Sequence, residues 1–148
     1  MRVGFTGTRH GLTPAQGGAL ARLVRDAAVT EFHHGCCRGA DAEAVRHVRR
    51  YHPAADIVGH QPETTALVAN PAVWASNRLV DPLPYLERNR GIVDGCEVLV
   101  ACPEGPEVLR SGTWSTVRYA RRAGVPVVVV WPDGTVLGAM PVWTGGEG

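Results

Sequence analysis

Short apolar runs alternate along this chain with stretches of helical period. Residues 2–6 (Arg-Val-Gly-Phe-Thr), 31–34 (Glu-Phe-His-His), 55–59, 97–101 (Glu-Val-Leu-Val-Ala) and 126–131, nearly all valine, read as strands. In the last two, apolar residues follow one another instead of alternating with polar ones, as in parallel strands covered on both faces. The first helix starts at Thr13-Pro14-Ala15-Gln16: Thr13 is placed to cap, Pro14 suits the first helical position, and Gln16 can reach back as in a capping box. Leu20, Leu23, Val24 and Ala27 then form its apolar stripe, which ends before Thr30. Over 41–51, Ala44, Val45 and Val48 face inward while Arg46, Arg49 and Arg50 face water. Over 84–94 the inward residues are Leu86, Ile92 and Val93, and a last helix over 112–123 is closed by Gly124. Between 60 and 82 periodicity fails, with Pro62, Pro71 and Pro82 as punctuation. That segment reads as a long loop, a feature that compact domains usually keep for function.

The order β-α-β-α-β-loop-α-β-α-β predicts an α/β fold. It is a single-domain, doubly wound, Rossmann-like and mostly parallel sheet with helices on both faces. One domain is expected over 1–148, with its core over about 2–131 and a Gly-rich, partly irregular tail fraying over 145–148. At 148 residues the chain can bury a core without disulfides. A formal net charge of +1 argues against a domain-wide electrostatic grip on DNA or anionic lipid. All 15 basic side chains are arginine, clustered enough to allow a local basic patch. Cys36, Cys37, Cys96 and Cys102 lack Cys-x-x-Cys spacing, so no metal site is expected. No charged-plus-apolar leader and no membrane-length apolar run is seen, so a cytoplasmic protein with reduced thiols and no membrane partner is the expectation.

Three Gly/Arg-rich patches follow apolar runs and precede helices: Gly4 to Arg9, His34 to Asp41, and Arg110 to Thr113. Turns of this kind line up along one edge of an open α/β sheet, where ligands bind. Glycine lets backbone N–H groups approach an anion, and the helix N-terminus adds a favourable dipole. The chain therefore reads as a small phosphate- or nucleotide-binding domain whose ligand contacts are Gly7, Thr8, Arg9, Gly35, Arg38, Gly39, Ser111, Gly112 and Thr113. For Ser111 and Thr113 an ordinary N-cap is the competing reading, and for Gly7-Thr8-Arg9 a tight turn. Asp41 could cap its helix, hydrogen-bond a ribose or orient Arg38. Tyr85-Leu86-Glu87-Arg88-Asn89-Arg90 is a second constellation, in which Arg88 and Asn89 lie nearer the helix start and the arginine forks suit phosphate or carboxylate; a solvated arginine face is the alternative. His33 and His34, adjacent in a strand, point to opposite faces. His10 lies close to the first glycine turn, and Cys102 reads as a small core thiol rather than a nucleophile. Neither a Gly-x-Gly-x-x-Gly fingerprint nor a Walker lysine is present.

Together these patches resemble the SLOG superfamily, which takes in the Smf/DNA-processing protein A Rossmann domain, the Lonely Guy phosphoribohydrolases, the molybdenum-cofactor carriers and the YspA-like proteins. Gly7-Thr8-Arg9 looks like its opening Gly-Ser/Thr-Arg, and the stretch from His34 to Asp41 like its Arg-Gly-Ala/Ile-Asp turn. Arg88-Asn89-Arg90 is similar to the Arg-Asn-Arg of DNA-processing protein A, and Ser111-Gly112-Thr113 with Thr116 to the helix start that closes the site. The resemblance implies a nucleotide ligand, no required cofactor and a homodimer. Lonely Guy enzymes carry a glutamate where Thr116 stands, and threonine cannot serve as that carboxylate base. N-glycosidic hydrolysis or transfer on a nucleoside monophosphate is thus the alternative function, with Arg88, Asp41 and Glu104 as catalytic candidates and Glu107 as a further possible carboxylate. Single-stranded nucleic acid is disfavoured, Trp74 and Trp114 being the only candidates for a stacking platform.

Overall fold

The apolar runs become the middle of one sheet in the computed structural model, which describes residues 1–64, 68–69 and 76–141. Its elements are β1 (Arg2–Gly7), α1 (Pro14–Asp26), β2 (Glu31–His34), α2 (Ala40–Tyr51), β3 (Asp56–Pro62), β4 (Arg78–Leu83), α3 (Tyr85–Asp94), β5 (Val98–Cys102), α4 (Gly112–Arg122), β6 (Val127–Val130) and β7 (Val136–Leu137). The sheet runs β4-β3-β2-β1-β5-β6-β7, parallel throughout except for the β6–β7 pair. Side-chain alternation splits the apolar runs between two cores. Phe5, Phe32, Ile57, Val100 and Val128 pack beneath α1 and α2 with Leu20, Val24, Val45 and Val48. Leu99, Ala101 and Val129 pack beneath α3 and α4 with Ile92, Val93, Trp114 and Val117. Strands buried on both faces have no need of a polar position, which is why β5 and β6 read as unbroken apolar runs.

The helix starts differ in detail from the sequence reading. Thr13 caps α1 by accepting from the Gln16 N–H at 3.1 Å, but Gln16 completes no capping box. Its buried amide donates instead to the carbonyls of Pro103 (3.0 Å) and Val130 (2.8 Å), tying α1 to the ends of β5 and β6. Ala44, Val45 and Val48 are buried as expected, and Arg46, Arg49 and Arg50 are exposed. On α3 the inward stripe is Arg88, Asn89, Ile92 and Val93, whereas Leu86 is exposed, because the first turn of the helix stands at a cavity rim. At the end of α4, Gly124 takes φ +76° and the Val125 N–H closes on the Ala120 carbonyl at 2.9 Å, a Schellman ending.

The segment 60–82 is not a continuous loop. β3 runs on to Pro62, and β4 adds a parallel strand at the sheet edge, with a register irregularity between His60 and Pro62. β4 escapes detection because most of its side chains are solvent-exposed, so no apolar alternation marks it. Pro82 is tolerated there because an edge strand can leave one N–H position unused. Pro71 and Trp74 lie outside the described residues.

Candidate functional site

The strand order reverses direction at β1: from β1 the chain crosses through α1 to β2 on one side, while β5, its other neighbour, leads through α4 to β6. The C-terminal ends of β1 and β5 therefore diverge, opening the crevice in which doubly wound folds bind ligands. A cavity of about 540 Å³ lies there. The first turn contributes Gly7, Thr8, Arg9 and His10 to it; the second Gly35, Cys37 and Asp41; α3 Tyr85, Leu86, Arg88 and Asn89; and the β5–α4 segment Glu104, Val108 to Gly112 and Thr113. Of the site candidates singled out from sequence, Arg38, Gly39, Arg90, Thr116 and the possible carboxylate Glu107 do not line it, Glu107 pairing with Arg118 at 3.1 Å. Arg38 and Arg90 are exposed, Arg90 lying over the Tyr119 ring at 5.5 Å. Thr116 is buried and spends its hydroxyl on the Gly112 carbonyl at 2.9 Å, within the helix.

Arg88 and Asp41 form the centre of the second turn. Arg88 is 6% exposed; its Nε donates to Asn89 Oδ1 (2.9 Å) and its Nη1 to the Gly35 carbonyl (2.5 Å), with the His60 carbonyl at 3.5 Å. Its guanidinium also lies over the Tyr85 ring at 5.2 Å. Asp41 does not cap α2: its Oδ2 accepts from the N–H groups of Gly35 (3.0 Å) and Cys37 (3.2 Å), folding the turn around the carboxylate. Burial pushes its carboxyl up to about 6, although the Arg88 charge and those two donors pull the other way. A Cβ at Gly35 would lie 2.6 Å from Arg88 Nη1, so a side chain there would displace the guanidinium. Gly39, at φ +85°, joins two turns: a Cβ would lie 2.5 Å from the Arg9 carbonyl oxygen, and the next residue's N–H bonds Thr8 O at 3.0 Å.

The third turn presents donors. Ser111 Oγ accepts from the Trp114 N–H at 3.2 Å, so the N-cap reading is correct. The N–H groups of Gly112 and Thr113 precede the first intrahelical bond, from Ser115 N–H to Ser111 C=O (2.9 Å), and are left for an external acceptor. Arg9 and Arg110 are exposed cavity residues without an ionic or hydrogen-bonding partner among the described residues. At the mouth, His10 Nδ1 and Glu104 Oε1 meet at 3.1 Å and bridge the first and third turns. Leu86, Val108 and Leu109 form an exposed apolar rim, and Arg118 steadies it through the carbonyls of Val108 (3.4 Å) and Leu109 (3.1 Å).

Burial raises all four thiols, Cys36 to about 12 and Cys96 to about 11, so none is poised as a thiolate. Trp114 is no stacking platform: it is buried beside Trp131 and donates to the Gly105 carbonyl at 3.2 Å. His33 and His34 do diverge: His33 meets His60 (2.7 Å) and Glu31 (2.6 Å), whereas His34 meets Ser76 at 2.8 Å. Among the described residues no three His, Cys, Asp or Glu side chains are grouped to hold a metal, and no helix is long and apolar enough to cross a membrane. Sequence reasoning gave no ligand contact to Cys37, Val108 or Leu109, which line the cavity, and Tyr85 entered only as the first residue of the 85–90 constellation, one helical turn before Asn89 on the same face.

No protein-family model matches the sequence, and no curated protein matches it. Solved structures share its fold, two of them as follows. The X-ray structure of TM1055, a structural genomics target, superposes with a TM-score of 0.60 at 20% identity, covering 85% of this chain and 71% of that one. The X-ray structure of DNA processing protein A (DprA) from Streptococcus pneumoniae gives a TM-score of 0.61 at 14% identity, covering 86% of this chain. The chain spans about half of DprA, 49% of its length. The chain shares with both structures a Rossmann-like α/β fold.

Proposed function

We propose that this protein binds a nucleotide or a nucleotide-derived phosphate ligand in the cavity at the C-terminal edge of the sheet. The observation that carries the reading is the convergence of three glycine turns, two arginines unpaired among the described residues and the open N-terminus of α4 on one crevice. Backbone N–H groups at Gly112 and Thr113 suit a phosphate through donors and dipole together, and Arg9 and Arg110 neutralise its charge. Titration calorimetry with nucleoside mono-, di- and triphosphates checks this. Arg9→Ala and Gly112→Asp should each lose affinity while the protein stays folded; unchanged affinity in both variants sinks the reading.

A second reading, N-glycosidic hydrolysis or transfer on a nucleoside monophosphate, is favoured by one observation. Asp41 is a cavity carboxyl held near 6, where it can exchange a proton at neutral pH. Free base released by the wild type and lost in Asp41→Asn would support this chemistry; no release from any nucleoside monophosphate would dismiss it. A homodimer remains a proposal that rests on the resemblance, to be checked by light scattering. Nucleic-acid binding of the kind that DprA's name suggests is weaker here, because Trp114 is buried.

A further inference from the structure

Asp41, Arg88 and Asn89 all line the cavity and are 5%, 6% and 8% exposed, so the little surface they keep faces the crevice. Each has one polar atom left over. Asp41 Oδ2 takes the Gly35 and Cys37 N–H groups, leaving Oδ1 as an acceptor. Arg88 spends Nε on Asn89 Oδ1 and Nη1 on the Gly35 carbonyl, leaving Nη2 as a donor. Since Arg88 Nε can only donate, the atom it meets on Asn89 is the oxygen, and Asn89 Nδ2 is a second free donor. None of the three leftover atoms has a partner among the described residues, and each keeps accessible surface.

The carboxylate and the guanidinium border one point. A Cβ built on Gly35 would lie 2.6 Å from Arg88 Nη1 and 3.1 Å from Asp41 Oδ2, yet no direct ion pair joins the two groups. Opposite charges this close but unjoined leave room for one oxygen that donates to the carboxylate and accepts from the guanidinium, each bond spanning about 2.8 Å. A hydroxyl does both from a single atom. An ionised phosphate oxygen only accepts, and it would face the Asp41 carboxylate. The second turn brings only Gly35, Cys37 and Asp41 to the cavity, which offer no flat apolar surface for a ring.

We infer that Asp41, Arg88 and Asn89 hold the vicinal hydroxyls of a ribose: Asp41 accepts from one hydroxyl, Arg88 donates to that same oxygen, and Asn89 donates to its neighbour. This rests on the nucleotide-binding reading and adds that the ligand is a ribonucleotide rather than a deoxyribonucleotide.

The test is calorimetry with AMP, GMP, CMP, UMP, their 2′-deoxy counterparts and ribose 5-phosphate. The wild type should bind at least one ribonucleotide about tenfold or more tighter than its 2′-deoxy form, as for loss of one hydrogen bond to a charged group. In Asp41→Asn the amide oxygen can still take the Gly35 and Cys37 N–H groups, while a donor replaces the acceptor that faced the cavity. That ratio should shrink toward one in the folded variant, and affinity for ribose 5-phosphate should fall with it. Asn89→Ala, which leaves the bonds of the second turn to Asp41 in place, should weaken ribonucleotides and ribose 5-phosphate alike. Equal wild-type affinity for ribo and deoxy forms overturns the inference, as does an unchanged affinity in Asn89→Ala. A loss in Asp41→Asn confined to one base and sparing ribose 5-phosphate would assign these atoms to a base edge and overturn it too. Failure of the wild type to bind any of these ligands overturns the nucleotide reading itself.

Discussion

Arg88 is both a cavity residue and a structural one. Its guanidinium is held by the carbonyl of Gly35, 53 positions away in sequence, and approaches that of His60, 28 away. It is also the cation nearest the buried Asp41 carboxyl, whose ionisation it favours. Removing one partner of a buried charged network leaves the other uncompensated, typically at about 3–5 kcal/mol. Because Asp41 can respond by taking up a proton, Arg88→Ala is expected at the lower end, roughly 3 kcal/mol less stable in urea unfolding. A variant as stable as the wild type would make Arg88 a ligand residue only. Arg9→Ala, which removes an exposed and unpaired side chain, should leave the urea midpoint nearly unchanged. Arg88 and Arg9 read alike in the sequence, since nothing local distinguishes an arginine that points outward from one that ties a turn to a strand.

α4 illustrates how an element offers a site without being strained by it. A Cβ built on Gly112 meets nothing within 4 Å, so a side chain fits there without displacing the fold. Aspartate in the first turn of a helix also interacts favourably with the dipole. Gly112→Asp should therefore keep or slightly raise the melting temperature of the free protein while placing a carboxylate where an anion would sit. A lower melting temperature would show that the open space at this turn is not available. The start and end of α4 were legible because capping and glycine termination are local chemistry. β4 was not, because an edge strand with mostly exposed side chains carries no hydrophobic period. The outward turn of Leu86 was hidden for a similar reason: a leucine on the α3 stripe is read inward unless the sheet ends beneath it.

On the scale of the whole molecule, buried titratable groups couple stability to pH, His34, His60 and Asp41 among them. Burial holds His34 down to about 3 and His60 down to about 4, with neighbouring cationic groups adding to the effect. Their folded-state values lie below the ordinary histidine value, so the stability they contribute is full above about 6.5 and is lost as pH falls toward their folded values. Asp41 has the opposite sign: held at about 6, it favours the folded state below the ordinary carboxyl range and gives that contribution up as pH rises through 6. Two large histidine shifts outweigh one smaller carboxyl shift, so melting temperature should fall steeply as pH drops from 6.5 toward 4. A flat profile over that range would mean that these histidines are not held neutral. Asp41→Asn should make the acid loss steeper, because it removes the opposing group.

Sequence by itself determined the order of the elements other than β4 and β7, the doubly wound class and the three turns that edge the crevice. Apolar runs, helical period and glycine turns are properties of neighbouring residues, and each constrains the backbone where it stands. Tertiary structure alone decided which polar side chains meet. Asp41 folds a turn instead of capping a helix, Gln16 bridges two strand ends, His33 finds His60 across β2 and β3, and Tyr85 is left with an unanswered hydroxyl. The partners of Gln16 and His33 come from distant segments, and only the packing of the strands side by side brings them within hydrogen-bond reach.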